Sequence, residues 1–124
     1  MRVSTTIEFK NRYVYVRRLE DADLNEIEET WRRIAAACAE HQCYNVLIES
    51  FIGKIRMENI LPFSEAIAKS GIDHRHRIAW VHHRKESLGD IKKIEARLKE
   101  QGVMNGGLFS NIEQALRWLL IAED

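Results

Sequence analysis

Two adjacent histidines, His82 and His83, end a β-rich run, Arg77-Ile78-Ala79-Trp80-Val81, and Arg84-Lys85 follow them. Imidazoles titrate near neutral pH and ligate metals, so the pair could shuttle a proton, hold an ion or contact a ligand. Neighbouring strand residues point to opposite faces, so the two rings cannot easily share one ion. The flanking Arg84 and Lys85 also disfavour a cation. A second group follows another apolar run: Glu49-Ser50-Phe51, then Lys54 and Arg56 ahead of a helix. The amino end of a helix attracts anions, and basic side chains add to that pull. A phosphate or an acidic partner group is therefore the ligand chemistry expected there. Gly53 alone is no phosphate loop, because the G-x4-G-K-[ST] spacing is missing.

Catalysis finds little support in these residue types. Ser50 has no placed base, and a strained G-x-S-x-G elbow is absent. Ser110 reads as a helix cap. His74-Arg75-His76-Arg77 is a basic loop without a neighbouring acid or thiol, so a surface loop is expected, with an anion contact as the sharper reading. Cys38 and Cys43 have the wrong spacing for a zinc pair. Cys38 fits the apolar face of a helix as a buried thiol. Trp31, Trp80 and Trp118 sit at core-like positions. No catalytic residue, metal site or cofactor is assigned. The candidate ligand- or partner-binding residues are Phe51, Lys54, Arg56, His82 and His83, all following buried strands and expected on one rim.

The elements that would carry this rim are legible. Val3, Thr5, Ile7 and Phe9 alternate with polar residues, Lys10-Asn11-Arg12 turns, and Tyr13-Val14-Tyr15-Val16-Arg17 resumes β chemistry. Asp23 with Glu26 opens a helix whose Leu24, Ile27, Trp31, Ile34 and Cys38 share one face. Tyr44-Asn45-Val46-Leu47-Ile48-Glu49 is expected to be a strand buried on both faces. A helix is expected over about 57–70, with Pro62 in its first turn or at a kink and Gly71 ending it. The 77–82 strand precedes a helix over about 88–101 that carries Leu88, Ile91, Ile94 and Leu98 on one face. Gly107-Leu108-Phe109 is a short strand, and Ser110 to Glu113 forms a capping box for the last helix.

Strands alternating with helices imply right-handed crossovers. The fold class expected is α/β: a four- to five-stranded, mostly parallel sheet with an N-terminal antiparallel hairpin and about four helices, one domain over 1–124. The 124 residues suit one domain. With 45% hydrophobic and 31% charged residues, the composition is that of an ordinary globular chain. Lys+Arg and Asp+Glu both number 19, so no net field draws in nucleic acid. No apolar run approaches the about 20 residues needed to span a bilayer, and Met1-Arg2-Val3-Ser4-Thr5 lacks a signal-peptide core. A cytoplasmic location is expected.

The hairpin-helix opening, Asn45-Val46-Leu47-Ile48-Glu49, Arg77-Ile78-Ala79-Trp80-Val81, and the closing Phe109-Ser110-Asn111-Ile112-Glu113-Gln114-Ala115-Leu116-Arg117-Trp118-Leu119 together resemble the small bacterial STAS-like proteins. These are also called SpoIIAA-like and are related in fold to anti-sigma-factor antagonists. The closing F-x-[ND]-x-x-x-A-x-x-W-L pattern carries most of the likeness. The resemblance implies helices packed on a four- to five-stranded sheet and a non-enzymatic binding module, protein–protein or regulatory in role. Sporulation-type relatives are switched at a serine in an Asp-Ser-Ser-Gly-like turn. Here that region reads Glu49-Ser50-Phe51-Ile52-Gly53-Lys54, which argues against a sigma-factor partner switch. A looser likeness to lipid carriers of the CRAL-TRIO/Sec14 type gives the alternative, a carrier with an apolar pocket between helices and sheet. The partners kept open are a protein partner, a second copy of the chain, or an apolar small molecule.

Overall fold

The computed structural model describes residues 5–18, 24–50, 60–73, 75–83, 88–100 and 105–121. In chain order the elements are β1 (Thr5–Phe9), β2 (Val14–Arg18), α1 (Leu24–His41), β3 (Asn45–Ser50), α2 (Ile60–Lys69), β4 (Arg77–His82), α3 (Leu88–Glu100), β5 (Asn105–Phe109) and α4 (Ile112–Ile121). The architecture is α/β with one five-stranded mixed sheet, spatial order β1-β2-β3-β4-β5. β1 and β2 are antiparallel, whereas β2 to β5 are parallel. Each parallel connection passes through a helix, as parallel pairing requires.

Strand alternation divides the core in two. Val14 and Val16, Val46 and Ile48, and Ile78 and Trp80 face one side, where they meet Trp31, Ile34 and Cys38 of α1 and Ile67 of α2. Trp31 and Trp80 meet edge-on with ring centroids 6.1 Å apart. α3 continues this layer beside α2 and over β5. The side chains expected on the inner face of α3 lie outside the described residues. On the opposite side Leu47, Ala79 and Val81 pack against Ala115 and Leu119 of α4. β3 and β4 are thus covered on both faces, which is why their apolar residues run consecutively.

Local chemistry explains the helix ends. Gln42, at φ 50°, ends α1. Cys43 N–H donates to Cys38 O at 3.0 Å and Gln42 N–H to Ala39 O at 3.3 Å, the paired bonds of a Schellman turn. Gly71, at φ 107°, follows α2, and Pro62 sits in that helix's first turn. The expected cap at Ser110 is corrected by one residue. Asn111 Oδ1 accepts the Gln114 N–H at 2.8 Å, so Asn111 is the N-cap. Ser110 Oγ instead donates to Gln114 Oε1 at 2.9 Å. β5 begins at Asn105, earlier than expected, because the parallel ladder with β4 extends through Gly106 and Gly107 despite their low strand propensity.

Candidate functional site

α4 lies over β3, β4 and β5. On that side of the sheet, β1 and β2 carry no helix among the described elements. The positions facing that side are Tyr15 and Arg17 of β2, with Tyr13 just before the strand, the polar-capable alternates to Val14 and Val16. The parallel register sets Tyr15 beside Leu47 and Arg17 beside Glu49, which in turn lies beside Val81. Glu49 therefore emerges where the apolar patch under α4 ends and the open face begins.

The Glu49 side chain is only 13% exposed and is satisfied by donors on both oxygens. The Tyr15 phenol donates to Oε1. His83 Nε2 lies 3.0 Å from Oε2, and Arg17 Nε is 4.0 Å from Oε1. Burial, and then the bond to Glu49, push the Tyr15 phenol up to about 12. A carboxylate only accepts, so His83 presents Nε2–H to it. The carboxylate thus orients a phenol and an imidazole, with the Arg17 guanidinium beside them, near the carboxyl ends of β2, β3 and β4. Lys10 Nζ stands 5.8 Å from the Tyr15 ring centroid at the outer side of this patch.

His82, the last residue of β4, registers with Ser50 and faces the side of α1 to α3. His83, one residue on, reaches Glu49 on the α4 side. The sheet thus separates the two rings. Phe51, Lys54 and Arg56 lie outside the described residues. Glu49 was read as part of a strand-end group, whereas Tyr15 and Arg17 were not singled out by motif reading. Their signal was present in the alternation of β2, where an aromatic, an aromatic and an arginine interleave with valines.

A second polar cluster sits at the amino end of β4. His76 is 1% exposed, so the surface loop expected for His74-Arg75-His76-Arg77 is corrected at this residue. Its ring stands edge-on to Tyr44, with centroids 5.0 Å apart. Asp73 N–H donates to its Nδ1 at 3.0 Å, and the His76 N–H returns to Asp73 O at 3.0 Å. The tight Asp73–His76 turn folds the imidazole inward, where the sequence pattern alone reads as solvated. Burial pushes the His76 imidazole below its ordinary value, only partly opposed by Asp73. Arg75 bonds the Asp73 carboxylate at 2.9 Å, holds it well below the usual range, and lies 4.7 Å above the Tyr44 ring. Arg77 donates to Trp118 O at 2.9 Å and stacks over the Trp118 ring at 4.2 Å, tying β4 to α4. These contacts lock one end of the sheet; they do not converge on a reactive atom.

Cys38 and Cys43 are free thiols. Burial drives the Cys38 thiol up to about 12, while Cys43 Sγ lies 3.4 Å from Arg12 O. Among the described residues, no helix is long and apolar enough to cross a membrane. No family model matches this chain, and no curated protein matches it.

Proposed function

We propose that the chain is a non-enzymatic binding module of the STAS-like kind, and that it contacts a protein partner through the open sheet face around Tyr15, Arg17, Glu49 and His83. The observation that carries this reading is the Glu49 carboxylate, which ties the Tyr15 phenol and the His83 imidazole together on a face that α4 leaves uncovered. Tyrosine and arginine are the residue types that dominate protein interfaces. Here Tyr15 is held in place by Glu49 before any partner arrives, which lowers the ordering cost of binding. The cluster is arranged for recognition: the carboxylate is engaged on both oxygens.

The test is affinity enrichment from the source organism's extract with wild type and a Tyr15→Ala/His83→Ala double variant, read by quantitative mass spectrometry. The double variant must keep the wild-type circular dichroism. A protein recovered with wild type and reduced about tenfold or more with the variant supports the reading. Equal recovery of every associated protein by both chains removes this face from consideration.

A further inference from the structure

A different surface, the outer edge of β1, carries a second inference, independent of the open face. Lys10 N–H donates to Tyr13 O at 2.8 Å, so Lys10 and Tyr13 form a hydrogen-bonded pair at the hairpin end. Bonded and non-bonded pairs alternate along an antiparallel ladder. In the observed register the next bonded pairs are Glu8 with Tyr15 and Thr6 with Arg17. Ile7 and Phe9 therefore turn their N–H and C=O groups away from β2. Among the described residues β1 is the terminal strand, with no strand beyond it.

Natural edge strands are guarded by lysine, proline, a bulge or an inward charge. Thr5-Thr6-Ile7-Glu8-Phe9 has none of these, and its register with β2 is unbroken. Its one charge, Glu8, is held by Lys10 of the same chain at 2.9 Å. The edge thus offers a bare backbone ladder without a net charge to repel another strand. The opposite edge is less suited: β5 contains Gly106 and Gly107 and is flanked by both α3 and α4.

We infer that β1 pairs antiparallel with β1 of a second copy of this chain, about a two-fold axis at Ile7, so that two five-stranded sheets become one. The strand is self-complementary in this register. Ile7 meets Ile7, Thr6 meets Glu8, and Thr5 meets Phe9, so no like charges face each other. Ile7, only partly covered by the α1 side of the core, gains the second copy's Ile7 as an apolar neighbour. The pairing is isologous and closes on itself, which gives a dimer rather than a fibre.

The test is native mass spectrometry and light scattering of the full chain over a dilution series. The expected result is twice the chain mass at high concentration, falling to the chain mass on dilution. Ile7→Pro removes an outward donor while sparing the Thr6 and Glu8 bonds to β2, and it is expected to be monomeric with unchanged circular dichroism. Wild type that stays monomeric at its highest soluble concentration overturns the inference. So does a dimer that persists in a folded Ile7→Pro chain. Amide exchange on wild type tests the same edge without a variant. The Ile7 and Phe9 amides should exchange about tenfold or more slowly in the concentrated dimer than in the dilute monomer. Equal exchange at both concentrations overturns it.

Discussion

His83 Nε2 lies 3.0 Å from Glu49 Oε2, and this contact links the carboxyl ends of β3 and β4 on the face opposite to His82. The same carboxylate takes the Tyr15 phenol on its other oxygen. One largely buried acid therefore fixes the position of two side chains, one from β2 and one from the residue that follows β4.

Tyr15 should ionise above the ordinary phenol range. Its phenol is pushed up to about 12, first by burial and then by Glu49. Ultraviolet titration should show a phenolate step displaced upward from the ordinary 10.0. Glu49→Gln should move that step only part of the way back, because burial remains. Because the folded value is raised, the stability contributed by this proton is complete below about pH 10 and is lost as pH rises through about 12. A step unmoved by Glu49→Gln contradicts the bond.

His76 should make the fold sensitive to acid. Its folded value lies below the ordinary 6.5, so the unfolded chain binds the proton first. The stability this residue contributes is present above about pH 6.5 and is lost as pH falls through the depressed folded value. The groups facing the ring are Asp73, Arg75 and Tyr44. Asp73, held low by Arg75, adds its own loss at more acidic pH, below the ordinary carboxylate value of 3.8. Denaturant midpoints measured between about pH 7 and 5 should fall for wild type and stay nearly flat for His76→Phe.

Thiol labelling should separate the cysteines. Cys38 is fully buried with its thiol pushed up to about 12, so the thiolate that reacts is scarce and shielded. Disulfide-exchange reagents at mildly alkaline pH should modify Cys43 alone in the native chain and both cysteines in denaturant. Fast labelling of Cys38 in the native state would show that α1 opens readily.

The left-handed residues that follow α1 and α2 should respond to substitution with opposite signs. Gly71→Ala forces a Cβ into φ 107° and to 3.3 Å from the Ala35 Cβ, and should cost about 1 kcal/mol or more. Gln42→Gly relieves a non-glycine residue at φ 50° and should add about 0.5–1 kcal/mol. Urea midpoints at constant m-value read both.

The α/β class and the strand cores were legible because consecutive apolar residues in 46–48 and 78–81 require cover on both faces. Helix ends were legible where glycine marks them, as at Gly71, and less so where Gln42 adopts the same turn without that marker. The cap moved from Ser110 to Asn111 because both residue types cap well, and only the geometry of the last strand chooses between them. His76 was misread because spacing in a loop carries no information about which ring turns inward. The Tyr15–Glu49–His83 cluster joins three strands 34 residues apart in sequence at each step. Its members were visible one by one, but their meeting depends on strand order, which the pattern of elements narrows without choosing.

The most direct measurement of the binding-face claim is covalent footprinting with diethyl pyrocarbonate, comparing the purified protein with the same protein in the source organism's extract. His83, on the open face, and Lys69, at the end of α2, are both reachable in the isolated chain. Modification of His83 should fall severalfold in the extract while Lys69 stays unchanged. Equal modification of His83 in both settings would contradict a partner on this face.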